Sequence, residues 1–163
     1  MIISQNREEL ALATTISRQC ELTSIKLLES HSRLHEHEGL VEPFRIVVRE
    51  SICVACRFQD GHVIYDAKFR VESVDASVPE RTMFEIESVY RIEYEMRGGD
   101  APTDEQMAAF GRGNVLLNLW PYFRELTHGL AVKMDHLPPP LPLMRIFPAL
   151  EPEVKPPGVV QIP

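Results

Sequence analysis

A chain of 163 residues with 44% apolar and 25% charged residues can build one domain with a buried core, and is too short for two comfortable ones. A formal net charge of −7 and a pI near 5.4 exclude the basic footprint by which proteins hold nucleic acid. No apolar run approaches bilayer length, and MIISQNREEL lacks the basic-then-apolar order of a secretory signal, so a soluble cytoplasmic protein is expected.

The first predicted element is a strand near 20–30, whose parity slips around Thr23–Ser24 as a β-bulge allows. HSRLHEHE, 31–38, follows as a polar loop between strands. If extended, His35 and His37 share a face and suit a metal, with His31, Glu36 and Glu38 nearby. No surroundings that would orient the rings are visible, so solvated histidines are expected, with no metal and no cofactor.

Residues 44–58 place Phe44, Ile46, Val48, Ile52, Val54, Cys56 and Phe58 on one parity, with Glu50 the exception. The CVAC stretch invites a redox or metal reading. Residues three apart in a strand point to opposite faces, however, so Cys53 and Cys56 read as inert thiols. Three cysteines in an acidic chain make no disulfide framework.

QDG at 59–61 is a hairpin turn, with Gly61 free to take positive φ. The next strand, 62–74, sets Val63, Tyr65, Ala67, Phe69 and Val71 against Asp66, Lys68, Arg70 and Glu72. After a turn containing Pro79, residues 83–97 alternate most cleanly, with only Ser88 and Val89 out of pattern. Four antiparallel strands in sequence form a meander with one apolar face, which needs a cover.

GGDAP at 98–102 ends the last strand, and Thr103 with Gln106 has capping-box spacing. A helix from there to about 135 supplies the cover, with His128 and His136 near its end. Eight of the twelve residues 115–126 are apolar, too many for a single stripe, so a second side must also be covered, most simply by self-association. Pro121 lies inside, where it removes a hydrogen bond to the Leu117 carbonyl at a cost of about 3 kcal/mol. A kink there would splay Trp120, Tyr122 and Phe123 toward a partner or ligand, unless it merely bends a buried helix.

Nine of the thirteen prolines fall in 138–163, so LPPPLPLMRIF, 137–147, is expected to be extended, and residues 148–163 to form a flexible tail. The class is α+β, a four-stranded antiparallel sheet covered by one long helix and an apolar crossover loop. No phosphate loop, nucleophile elbow or zinc-finger spacing occurs, and an enzyme is hard to build from this inventory.

These residues resemble the SecB export chaperones. LWPYFRE, Leu119–Glu125, is similar to that family's aromatic-Pro-Tyr-x-Arg-Glu signature in its long helix, and residues 137–147 resemble its Phe-Pro-x-Leu loop ending in Asn-Phe. FEIESVYRI, 84–92, is similar to the strand leading into that helix, and the resemblance spans roughly 20–147. His136 stands where the family has glycine before the loop, Leu137 replaces an aromatic, and prolines replace a second helix. The resemblance implies a domain over 1–147 that holds non-native polypeptides without ATP, as a homotetramer built as a dimer of dimers. It implies a client groove lined by Trp120, Tyr122, Phe123, Leu137, Leu141, Leu143 and Phe147. It also implies an acidic face, Glu85, Glu87, Glu93 and Glu95, for docking the SecA ATPase. Some SecB-like proteins instead serve one client, such as the antitoxin of a toxin–antitoxin system. The competing class is a small α+β ligand-binding or enzyme domain with a pocket between sheet and helix.

Overall fold

The computed structural model describes residues 2–35, 44–78, 80–136 and 141–148. A short strand β1 (Ile2–Gln5) and a helix α1 (Arg7–Ser17) precede four long strands, β2 (Cys20–Leu34), β3 (Phe44–Gln59), β4 (His62–Asp75) and β5 (Thr82–Met96). Helix α2 (Asp104–Phe110) widens into a π turn (Gly111–Val115) and continues as α3 (Leu116–Lys133); β6 (Arg145–Pro148) closes the described chain. The long strands form an antiparallel sheet in the order β2-β5-β4-β3. β1 pairs in parallel with β6.

Alternation makes the core. On β4, Val63, Tyr65, Ala67, Phe69 and Val71 are fully buried, and on β5 Phe84, Ile86, Tyr90, Ile92 and Tyr94 join them. Ser88 and Val89 do not break the strand: Ser88 keeps the inner register and is buried, while Val89 faces outward opposite Lys68. Asp60 and Gly61 take positive φ in the hairpin between β3 and β4. Thr103 and Gln106 form the capping box, each side chain bonded to the other's backbone amide. α3 then lays Leu116, Leu119, Trp120, Phe123, Thr127 and Ala131 on the inner face of the sheet at helical spacing.

Three expectations are corrected, and one helix was not anticipated. Residues 31–34 are not loop but the end of β2, held opposite 84–87 of β5; Glu36, His37 and Glu38 lie outside the described residues. The helix is not uniform, because the π turn interrupts it before Pro121. Asn6, Arg7–Ser17 and their capping box form a helix that no element was assigned to. The single parity of 44–58 fails at two bulges, between Val48 and Glu50 and between Cys53 and Ala55. The slip near Thr23 is a bulge, as the sequence suggests, with a second beyond Leu27. Pro148, where a tail was expected to begin, still pairs with Gln5; residues 149–163 lie outside the described residues.

Candidate functional site

β3 is an edge strand, and its bulges decide what the edge presents. After the first bulge Ile52 sits opposite Lys68 on the outer face, and Cys53 opposite Ala67 on the helix side. After the second, Cys56 sits opposite Tyr65, again on the helix side. Both thiols therefore share a face, because the extra residue resets the parity. Burial, and secondarily the neighbouring Cys56, pushes the Cys53 thiol up to about 12, and it contacts the Gly111 carbonyl at 3.2 Å. Burial also raises Cys56, against a lowering contact with Tyr65. Neither environment makes a thiolate at neutral pH.

Between β3, β1 and the π turn runs an open groove of about 690 Å³, lined by Ile3, Ile52, Cys53, Val54, Met107 and Leu116 among others. Ile52 and Val54 are half exposed at its rim, at 50% and 52%. Gly111 lets the helix approach closely here: a Cβ would meet Tyr65 Cε1 at 3.1 Å and Cys53 Sγ at 3.3 Å. The Tyr65 hydroxyl donates to the Met107 carbonyl at 3.0 Å, and burial drives its pKa well upward.

The aromatic helix sorts the expected lining into two groups. Trp120 and Phe123 are buried, with Phe123 stacked on Phe69 at 4.9 Å and Trp120 tilted against the same ring at 6.0 Å. As groove lining they are corrected: at 3.6 residues per turn they follow Leu116 and Leu119 onto the sheet, while Tyr122 faces out and is 46% exposed. The Trp120 indole donates to the Pro142 carbonyl at 2.8 Å, which fixes the segment after the helix. Leu141 is buried by that anchorage, a second correction, and Leu143 is 61% exposed. Phe147 belongs to β6, opposite Ser4. Leu137 lies outside the described residues.

The outer face carries the expected acids, but most are matched. Glu85 pairs with Arg70 at 2.9 Å and Arg33 at 3.8 Å, Glu87 with Lys68 at 2.9 Å, and Glu93 with Lys26 at 3.3 Å. Asp66 and Arg91 form a two-pronged pair, which holds the Asp66 carboxyl below the usual range. Glu95 is exposed at the end of the row. Sequence alternation shows the acids; the partners come from cross-strand register, which alternation does not reveal.

The other edge strand, β2, has inner-face residues that the helix does not reach. Leu22, Leu27 and Leu34 sit opposite Tyr94, Tyr90 and Phe84, yet are 43%, 46% and 42% exposed. Beside them a shallow groove of about 350 Å³ between β2 and α3 includes Ile25, Tyr122, Leu126 and Leu130. No cluster of three or more His, Cys, Asp or Glu suited to a metal occurs among the described residues. No helix there is long and apolar enough to cross a membrane.

Among solved structures the chain is similar to the Mycobacterium tuberculosis SecB-like chaperone Rv1957, in complex with a ChAD peptide from the Rv1956 HigA1 antitoxin. The TM-score is 0.70 at 14% identity, over 85% of this chain and 99% of that one. The fold is SecB-like. A Streptococcus agalactiae protein of unknown function, 13% identical over 77% of this chain and 98% of that one, matches at a TM-score of only 0.42. No family model and no curated protein matches the sequence. The SecB-like fold accounts for the four-stranded antiparallel sheet and the long helix.

Proposed function

We propose that the protein is an ATP-independent chaperone that holds non-native polypeptides, as a soluble cytoplasmic protein and not an enzyme. The observation that carries this reading is an open apolar groove along the β3 edge of a SecB-like fold, with Ile52 and Val54 half exposed at its rim. An edge strand offers unpaired backbone donors and acceptors to any extended chain, so pairing there is indifferent to client sequence. Apolar side chains beside it add burial at roughly 25 cal/mol per Å², enough to hold many clients without selecting one. Tyr122, in the separate groove beside β2, and Leu137, Leu143 and Phe147 complete the proposed client-binding set.

The second reading narrows the client. The similar M. tuberculosis chaperone holds an antitoxin peptide, and we propose an antitoxin of a toxin–antitoxin pair as the dedicated client, ahead of general export. Export would engage SecA through Glu85, Glu87, Glu93 and Glu95. Three of these are already matched by Arg70, Lys68 and Lys26, so a docking partner would have to replace existing ion pairs.

Assembly as a homotetramer, a dimer of dimers, is supported by the apolar residues left open on β2 and on the outer side of α3. The groove volume also suits a small ligand. Titration calorimetry without nucleotide separates the classes: a reduced, unfolded polypeptide should bind with micromolar or tighter affinity. Absence of binding, together with saturable binding of one small molecule, would favour the ligand-binding domain.

A further inference from the structure

The chain leaves its last described strand beside the groove. β6 runs parallel to β1 with Phe147 opposite Ser4 and Pro148 opposite Gln5, and Ser4 lines the groove. Neighbouring strands lie about 4.8 Å apart, so β6 ends at Pro148 roughly one strand spacing from β1. Residues 149–157 carry Glu151, Glu153 and Lys155 with three prolines. Gly158 then precedes Val159, Val160, Gln161 and Ile162, an uncharged and mostly β-branched run closed by Pro163. The ten residues 149–158 can span up to about 33 Å. The six-residue edge Ser51–Cys56 needs only about 20 Å.

We propose that residues 159–162 dock in the β1–β3 groove as a strand added to the open edge of β3, an internal competitor for the polypeptide the protein holds. The docking stands on geometry and sequence; the competition rests on the holding function proposed above. The one charged side chain in the lining, Arg112, is already bonded to Glu9 at 2.7 Å. An uncharged segment enters without leaving a charge desolvated. Alternation turns Val160 and Ile162 to one face and Val159 and Gln161 to the other, which suits a site apolar on the helix side and open to water opposite. A short linker raises the local concentration of the segment to about the millimolar range, so even a weak strand addition is populated.

Hydrogen exchange of the full chain and of its V160D/I162D variant tests the docking. Amides within 51–56 should exchange several-fold more slowly in the parent. Fluorescein-labelled, reduced and carboxymethylated α-lactalbumin should bind the variant about tenfold tighter, as expected when an internal competitor is removed. Equal exchange in the two chains would overturn the docking, whatever the client does. Protection in the parent with equal client affinity would overturn the competition. Protection that grows with protein concentration would place the segment in a second copy and overturn the internal arrangement. Protection with no client bound by either chain would support the docking and defeat the holding function instead.

Discussion

The Gln5 side-chain amide donates to the Ala109 carbonyl at 2.8 Å, joining residues 104 positions apart at the end of α2, just before the π turn. Gly113 backs onto the same side chain, where a Cβ would lie 2.6 Å from Gln5 Oε1. Gln5 is 1% exposed and has nowhere to retreat. The N-terminal strand thus pins both the widened turn of the helix and, through its pairing with β6, the segment that follows the loop.

Gly113→Ala should therefore destabilise the fold by about 1–3 kcal/mol through overpacking, and Gln5→Ala by about 1–3 kcal/mol through an unsatisfied buried carbonyl. Because Gln5→Ala vacates the space a Cβ needs, the double variant should lose less than the sum. Denaturant unfolding of the three variants measures this. Strict additivity would show that the two residues do not share one site.

Trp120→Phe keeps the ring packing against Phe69 and removes only the donor to Pro142. The expected cost is about 1–2 kcal/mol, with faster hydrogen exchange and proteolysis localised to 141–148. Unchanged protection there would mean that β1–β6 pairing alone holds the segment.

Cys53 should react with an alkylating reagent far more slowly than the exposed Cys56 at pH 8, since its thiol is raised by burial to about 12. The sign for stability follows. An acid raised in the fold contributes stability that is complete below the unfolded value of 9.0, and loses it as pH climbs toward 12. Replacing both cysteines by alanine should cost about 1–2 kcal/mol. Stoichiometric zinc in the parent, lost in that variant, would contradict the reading of inert thiols.

Light scattering should give a particle of four times 18.6 kDa at micromolar concentration. Leu27→Asp with Leu28→Asp should shift it toward smaller species, since both residues lie open on the β2 edge at 46% and 45%. A stable monomer in the parent would remove the proposed assembly.

The strands and the long helix were legible because alternation and helical spacing state them directly, as at Val63–Val71 and in the Thr103–Gln106 cap. What escaped was set by single-residue irregularities. The bulge at Val54 turns Cys53 and Cys56 to one face, and no periodicity announces an inserted residue. The π turn is foreshadowed only by Gly111 and Gly113, two glycines that pack closely against Tyr65 and Gln5. Trp120 and Phe123 read as surface because apolar residues surround Pro121 on every side. Which side met the sheet depended on tertiary packing, and Phe69 decided it.

The most direct test is suppression of aggregation. A chemically unfolded client diluted into buffer without nucleotide should scatter progressively less light as the protein approaches equimolar amounts. Ile52→Asp with Val54→Asp, two exposed substitutions on the β3 edge, should abolish the protection while leaving the free energy of unfolding within about 0.5 kcal/mol of the parent. Full protection by that variant, or none by the parent, would contradict a polypeptide-holding groove on β3.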